Sequence, residues 1–524
     1  MSQLNDPLDS NQSIAPQIGA DSASLDNQCC GDRFVNHELR RGHAPTEEER
    51  LSFKKGLTSD LESLERLVFA QKLDTSSKIG AELEYVLIDG TGRPAPSAAV
   101  IINEDAQYQR ELSLCNVEIT TEPTRIEGSF LMNLEHELSR KHEKILADSA
   151  AHDVDPLLIG VLPTYRPSDF NENWFGSERY LNLNAALLAK GDRDQFTLKF
   201  SGTDQVHASF PTILAQSLNT SFQIHLSAAP ERLTLLYNIS QLVAGPLLSC
   251  TGNSSLVLGN RAWSESRIPI WHQSTDCGGY SSQHVFFGDD WIRDPLAPLQ
   301  DLRHIDPLVM PANQETSPNS SAPPLSYLRT GNGTTWRWNR LCYGVSPQGI
   351  PHLRIEVRYL PAGPTISDMV ANAAYFYGLV HGLENLIVSG ALPPLERSAL
   401  SFSQVKENFE SAARLGLESQ LTWLDGKRWR AVELNLKLIE IAESGLMSLG
   451  VPEEQRERYL GVIRERVVSG KTGAQWQLKA FENLRGRFSD EECLAKIACR
   501  VFELQNYRDD SDRSLPVARW PDLT

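Results

Sequence analysis

The spacing of hydrophobic and polar positions changes twice along the chain. Between Thr46 and about Lys72, Leu51, Leu57, Leu61, Leu64 and Leu67 recur at helical intervals. They follow Pro45 and a Thr46/Glu49 pair with capping-box spacing, so residues 45–77 read as an N-terminal helix that ends before the turn-like stretch from Asp74 to Lys78. From Ile79 to about Gly390 the period shortens to two, in short strands interleaved with helices. This predicts an α+β domain built on a largely antiparallel sheet, occupying residues 78–390. Beyond Pro393 a helical region, 391–505, follows, with helices expected near 401–415, 428–444, 452–468 and 473–484, broken by Gly426, Gly445 and Gly470. Pro452 before Glu453 and Glu454 makes a sound helix start. Residues 1–44 are rich in Ser, Asn, Asp and Gln and cannot offset their ordering entropy by burial, which predicts a disordered acidic tail. Residues 506–524 read as a second tail, and the Pro/Ser/Asn run from Pro311 to Pro324 as a loop.

Composition narrows the class. The 524 residues are 40% hydrophobic and 22% charged, enough for a substantial core. No stretch approaches the ~18 consecutive apolar residues of a membrane-spanning helix. Met1 to Asp32 contains no Lys or Arg, unlike a signal or transit peptide, so a cytoplasmic location without membrane partners is expected. A net charge of -17 would repel nucleic acid and anionic lipid, so no nucleic-acid partner is expected and any anionic substrate must meet local arginines or bound cations. The eight cysteines include no CxxC pair, which fits free thiols rather than a zinc ribbon or a disulfide scaffold. Cys29-Cys30, in the tail, reads as an inert pair.

Candidate chemistry lies on the polar faces of the strands. In Ile79 to Ile88 one face is Ile79, Ala81, Leu83, Tyr85 and Leu87, and the other presents Glu82 and Glu84, with Cα atoms about 7 Å apart. Glu118 alternates with Val117 and Ile119. Gln223 and His225 alternate with Phe222, Ile224 and Leu226, and Arg354, Glu356 and Arg358 with Leu353, Ile355 and Val357. Two readings stay open. These are the solvated outer faces of ordinary antiparallel strands, or they are one partly enclosed surface. Their carboxylates, with no Lys among them, would repel one another unless cations sat between, and Mg²⁺ shared with nucleotide phosphates suits such a surface.

Simpler motifs fail. Gly470-Lys471-Thr472 lacks the earlier glycine of a phosphate loop, since position 465 is Glu, and Gly331-Asn332-Gly333 reads as a turn. Gly128-Ser129 lacks the flanks of a nucleophile elbow. His136 and His142 lie in a polar helical stretch and read as solvated, and Trp263, Trp336 and Trp338 read as packing groups.

Four segments carry a resemblance: Ile79-Gly80-Ala81-Glu82-Leu83-Glu84-Tyr85, Thr220-Ser221-Phe222-Gln223-Ile224-His225-Leu226, Trp263-Ser264-Glu265-Ser266-Arg267-Ile268, and His352-Leu353-Arg354-Ile355-Glu356-Val357-Arg358 followed by Pro361-Ala362-Gly363-Pro364-Thr365. In order and spacing, from about residue 78 to 390, they resemble the second glutamate-cysteine ligase family, which also holds bacterial carboxylate-amine ligases. The resemblance implies a glutamine synthetase-like fold, a funnel-shaped antiparallel sheet flanked by helices that holds ATP and two or three Mg²⁺ ions. It implies that Glu82, Glu84, Glu118 and Glu356 are metal ligands and that His225 is a ligand or a nucleotide-phosphate contact. Glu111 joins them by a spacing of seven before Glu118, with Glu104 as its competitor. Arg358 and Arg354 would act on the transferring phosphoryl group, Arg267 would bind substrate carboxylate or phosphate, and Gln223 would position the amino acid.

The implied activity is ATP-dependent joining of the glutamate γ-carboxylate to the amine of cysteine through a γ-glutamyl phosphate, a step of glutathione biosynthesis. The implied partners are small amino acids, and a homo-oligomer is compatible with the reading. Three readings compete: a ligase using another amine or another carboxylate, a guanidino phosphotransferase of the same broad fold, and a noncatalytic Mg-nucleotide-binding protein.

Overall fold

Strand β1, Lys78–Ile88, is the axis of an eight-stranded sheet. The others, in chain order, are β2 (Tyr108–Arg110), β3 (Asn116–Thr120), β4 (Thr124–Arg125), β5 (Asp155–Leu157), β6 (Phe222–Ser227), β7 (Asn339–Val345) and β8 (Pro351–Val357). The spatial order is β7-β8-β6-β1-β3-β2, every pairing is antiparallel, and β4 and β5 pair with the two ends of β1. The computed structural model describes residues 42–171, 173–275, 284–312, 322–508 and 514–524. Most of the segment read as an N-terminal tail, with Cys29-Cys30, and most of the Pro311–Pro324 loop lie outside the described residues.

The sheet curls into a half-barrel because its two faces differ. Ile79, Ala81, Leu83, Tyr85 and Leu87, with Val117, Ile119, Phe222, Ile224, Leu226, Ile355 and Val357, are all at most 2% exposed and form the convex, apolar face. Helices cover it: α2 (Phe130–Ala150), α4 (Pro230–Ser249) and α7 (Ile366–Val388). Burying that face at roughly 25 cal/mol per Å² of apolar surface is what fixes the strand register, since a one-residue slip would turn the apolar set outward.

Helix α1, Glu47–Phe69, has the expected capping box between Thr46 and Glu49. Its buried stripe is Phe53, Leu57, Leu61 and Leu64, whereas Leu51 is exposed, so the stripe lies slightly rotated from the leucine spacing. Helices α3 (Glu178–Lys190), α5 (Arg267–Thr275) and α6 (Ser326–Gly333) stand on the concave side of the sheet. The C-terminal region contains α8 (Phe402–Leu415), α9 (Ala431–Ser448), α10 (Glu453–Ser469), α11 (Gly473–Leu484) and α12 (Asp490–Gln505), and the last was not expected.

Two readings of this region change. Gly445 does not break a helix but lies inside α9, where a Cβ would sit 2.0 Å from the Gly378 carbonyl oxygen, so it permits α7 and α9 to touch backbone to backbone. The expected C-terminal tail is docked: Val517 is fully buried, Trp520 is 2% exposed and packs edge-on against Trp476 at 5.2 Å. Among the described residues no helix is long and apolar enough to cross a membrane, and all five cysteines are free thiols.

Candidate active site

Register places the polar side chains of five strands on one concave surface. Arg340 of β7 lies opposite Glu356 of β8, Glu356 opposite His225 of β6, Gln223 opposite Glu82 of β1, and Glu84 opposite Glu118 of β3. With side chains alternating, these opposed pairs must share a face. All of them except His225 line a cleft that, with its open mouth included, holds about 1340 Å³ of empty space and is flanked on its other side by residues of α3, α5 and α6.

The six residues expected as ligands fall into two groups of three. Glu82, His225 and Glu356 each offer an atom within 4.8 Å of the other two, and so do Glu84, Glu111 and Glu118. Glu111 reaches its group from just beyond β2. Its competitor Glu104 lies elsewhere, paired with His152 at 3.1 Å. Nε2 of His225 is buried, 3.3 Å from Glu82 Oε1 and 3.9 Å from Glu356 Oε2, yet makes no hydrogen bond. An orphaned imidazole nitrogen between two carboxylates, and a second set of three carboxylates, are donor sets that fit divalent cations sharing oxygen ligands with phosphate.

The two groups differ in electrostatics. Burial and the neighbouring carboxylates push Glu118 well above the ordinary range, and burial with the nearby Glu84 pushes Glu111 up to about 8. Burial also raises Glu84, although its oxygens accept from Ser221 N at 2.7 Å, Ser221 Oγ at 2.9 Å and Gln223 Nε2 at 3.1 Å. Glu356 is the reverse case. Burial opposes its ionisation, but Arg340, Arg358, His225 and Arg354 together hold it well below the usual carboxylate range. Arg340 approaches its two oxygens at 2.9 and 3.1 Å, Arg358 bonds Oε1, and the Cys342 thiol donates to Oε2 at 3.4 Å. One end of the cleft is therefore an acidic pole and the other a set of guanidinium groups around a single ionised carboxylate.

Gln223 links the two ends, donating to Glu84 and accepting from Arg358 Nη1 at 2.6 Å. Arg354 lines the cleft and lies against Gly344, where a Cβ would be 2.8 Å from its Nη1. Arg267 is placed differently from the expectation of substrate contact. It is 4% exposed, does not line the cleft, and its guanidinium bonds Glu265 at 3.3 Å and the carbonyls of Tyr359 and Arg358 at 3.1 Å each. It thus holds the backbone that carries Arg358. His142, read as solvated, is 1% exposed and bridges Tyr85 to Asn506, while His136 is exposed as expected. Trp338 is a packing group as expected, but Trp336 lines the cleft, edge-on to Trp271 at 5.8 Å. Gly331-Asn332-Gly333 is the last turn of α6, and Asn332 accepts from Arg340.

Sequence reasoning missed Arg340 and Cys342. Their signal is the alternation of Arg340, Cys342 and Gly344 with Leu341, Tyr343 and Val345, which is obscured because Leu341, Cys342, Tyr343 and Gly344 are all buried.

The curled antiparallel sheet carries acidic triads and arginines on its concave face, and the family to which the chain belongs makes it an ATP-dependent carboxylate-amine ligase. The chain belongs to glutamate-cysteine ligase family 2, whose family model matches residues 78–495 and so takes in most of the C-terminal helices. No curated protein matches the sequence. Among solved structures the chain is similar to a glutamate-cysteine ligase from Francisella tularensis in complex with AMP, at 13% identity, TM-score 0.49, covering 83% of this chain and 90% of that one. It is also similar to a bifunctional glutathione synthetase from Pasteurella multocida, at 11% identity and TM-score 0.49, covering 85% of this chain and 54% of that one, about half its length. A third similar structure is the prokaryotic ubiquitin-like protein Pup in complex with its ligase PafA, at 12% identity and TM-score 0.36, covering 81% of this chain and 72% of that one.

Proposed function

We propose that the chain joins the γ-carboxylate of L-glutamate to the amine of L-cysteine, with ATP as the phosphoryl donor, at the γ-glutamylcysteine step of glutathione biosynthesis. The observation that carries this reading is the division of the concave face into two three-residue ligand sets with guanidinium groups gathered at one of them. A carboxylate cannot acylate an amine while its leaving group is oxide. Activation is needed: a γ-carboxylate oxygen attacks the γ-phosphorus of ATP and ADP departs, then the amine attacks the acyl carbon of γ-glutamyl phosphate and phosphate departs.

Glu84, Glu111 and Glu118 would hold one Mg²⁺, and Glu82, His225 and Glu356 another. When bound, the ions supply neutralisation of the phosphate charge. The residues of the chain do the rest. Arg358 and Arg354 point their charge at the position where negative charge develops on the transferring phosphoryl oxygens. Arg340 holds Glu356 in place and ionised. Gln223, bonded to both Glu84 and Arg358, keeps the acidic and basic ends of the cleft in fixed relation. No nucleophilic side chain is required, since substrate oxygen and nitrogen make the attacks.

The test is a pyruvate-kinase-coupled assay of ADP release with Mg-ATP and L-glutamate against a panel of amines that includes L-cysteine, with mass spectrometry of the products. Release that depends on both amino acids and yields the γ-glutamylcysteine mass is the expected result. Release with another amine keeps the ligase chemistry and replaces the acceptor. A phosphorylated guanidine product, or silence with tight Mg-ATP binding, defeats the reading in favour of a phosphotransferase or a binding protein.

A further inference from the structure

Besides its charged groups, Arg179 and Arg329 among them, the cleft is lined by a neutral stretch that includes Ile213, Gln216, Ser217 and Asn219. The chain enters β6 through a buried 3₁₀ turn, Ile213–Leu218, capped by Thr212 and tied to α3 by Ile213 N donating to Asn184 Oδ1 at 2.9 Å. All six residues of the turn are buried, including two polar ones. Ser217 satisfies itself on the Leu214 carbonyl at 2.7 Å, but Gln216 does not: its residue is 5% exposed, it lines the cleft, and its Nε2 has no hydrogen-bond partner. Asn219 follows in extended backbone, in the row continued by Ser221, Gln223 and His225 on the concave face. It also lines the cleft, and both Nδ2 and Oδ1 are buried without partners.

An amide hydrogen buried without an acceptor costs about 1–3 kcal/mol, so unpaired groups in the wall of a site call for a ligand that pairs them. The unpaired set contains donors on two residues and an acceptor on one of them, and exchanging the amide O and N of Asn219 leaves that set unchanged. Immediately beside it, Ser221 binds Glu84 of the acidic triad. A carboxylate would take the two N–H donors, and an ammonium on the adjacent carbon would take the acceptor and face the acidic pole. The guanidinium end, where phosphate belongs, lies on the other side of Gln223, so the group bound here is the far end of the molecule whose carboxylate is phosphorylated.

We infer that Gln216 and Asn219 form the pocket for the α-amino and α-carboxylate groups of the carboxylate substrate, and so restrict that substrate to α-amino acids. This rests on the reading of the cleft as a glutamate-activating site. The two residues touch no reacting atom; they determine specificity.

The test compares Gln216→Met and Asn219→Leu with wild type in ADP release, using L-glutamate and 4-aminobutyrate, which lacks only the α-carboxylate. Both variants are expected to raise the KM for glutamate tenfold or more, with kcat changed less than threefold and the KM for ATP unchanged. Wild type should turn over 4-aminobutyrate at least tenfold less efficiently than glutamate, and Gln216→Met, which removes a carboxylate donor alone, should change that turnover less than twofold, whereas Asn219→Leu, which also removes the acceptor for the amine, should lower both. Equal losses on the two substrates in Gln216→Met, or a loss in kcat alone, would overturn the inference. The melting temperature of the ligand-free protein supplies a second readout, since removing an unpaired buried donor should raise it by about 1–2 °C in Gln216→Met. A fall there means that the amide is a structural bond and overturns the pocket. Should wild type show no glutamate-dependent ADP release, the function reading fails by itself. The pocket is then judged by thermal shift with L-glutamate, L-aspartate, L-glutamine and L-cysteine: stabilisation that both variants lose upholds it, and the absence of any shift in wild type overturns it.

Discussion

Glu118 of β3 and Glu356 of β8 share one face of the sheet with two strands between them, yet replacing each should act in opposite senses on the resting protein. Glu118 is crowded by Glu82, Glu111 and Glu84 in a buried place, so Glu118→Gln removes repulsion. The chelator-treated protein should melt about 1–3 °C higher, while the rise produced by Mg²⁺ in wild type should vanish; calorimetry with and without the ion decides both. Glu356 neutralises Arg340 and Arg358, so Glu356→Gln leaves two partly buried guanidinium groups facing a neutral amide. That variant should melt lower and release ADP at least about a thousandfold more slowly, with an unchanged far-ultraviolet spectrum. Arg358→Ala should lower kcat by about 100- to 1000-fold and leave the KM for the amine unaltered, because its charge is best used in the transition state. An effect confined to amine KM would remove it from that role. The carboxylates of β1, β3 and β8 were legible in the sequence because a strand's period of two separates its faces without reference to anything distant. Glu111 lies outside any strand, so only family spacing pointed to it. Arg267 misled because Glu265, two residues before it, takes its charge inside the protein.

His142 shows the same contrast at the level of an element. Its sequence neighbours are polar, but Leu131, Leu134, Leu138 and Ile145 define the buried stripe of α2, and position 142 falls four after Leu138 and three before Ile145. The helix therefore presses the imidazole against β1, with Tyr85 Oη 3.1 Å from Nδ1 and Asn506 Oδ1, just past α12, 2.9 Å from Nε2. Burial holds its pKa down at about 4, against an ordinary value of 6.5. Since the unfolded chain takes up a proton at higher pH than the folded one, stability is complete above pH 6.5 and is lost as pH falls towards 4. The loss approaches about 3 kcal/mol at the lower limit. Because the raised Glu84, Glu111 and Glu118 tilt stability the other way in this range, the slope should appear as the difference between wild type and His142→Gln in urea unfolding between pH 7 and 4.5. An unchanged slope in the variant would assign the acid sensitivity to other groups.

For the whole molecule, the open question is what the docked chain end contributes to a site it does not touch. Trp520 lies on Trp476, its carbonyl accepts from Lys471 Nζ at 2.9 Å, and Val517 N donates to Asp368 Oδ2 at 2.9 Å. Asp368 is fully buried, pairs with Arg466 at 2.7 Å, and lies in the first turn of α7, ten residues after Arg358. The terminus thus clamps α7, α10 and α11 where α7 begins, so the helices behind the sheet and the strand in front of it are held as one body. The sequence hid this because residues 506–524 show no periodicity, and their burial comes from partners about 45 to 150 positions away. Trp520→Ala opens a cavity against the Trp476 ring and should cost about 3–5 kcal/mol. If the clamp serves stability alone, kcat and both amino-acid KM values of the folded variant at low temperature should stay within about twofold of wild type, while its melting temperature and protease resistance fall. A drop in kcat well below the melting transition would show instead that the terminus also sets the position of Arg358.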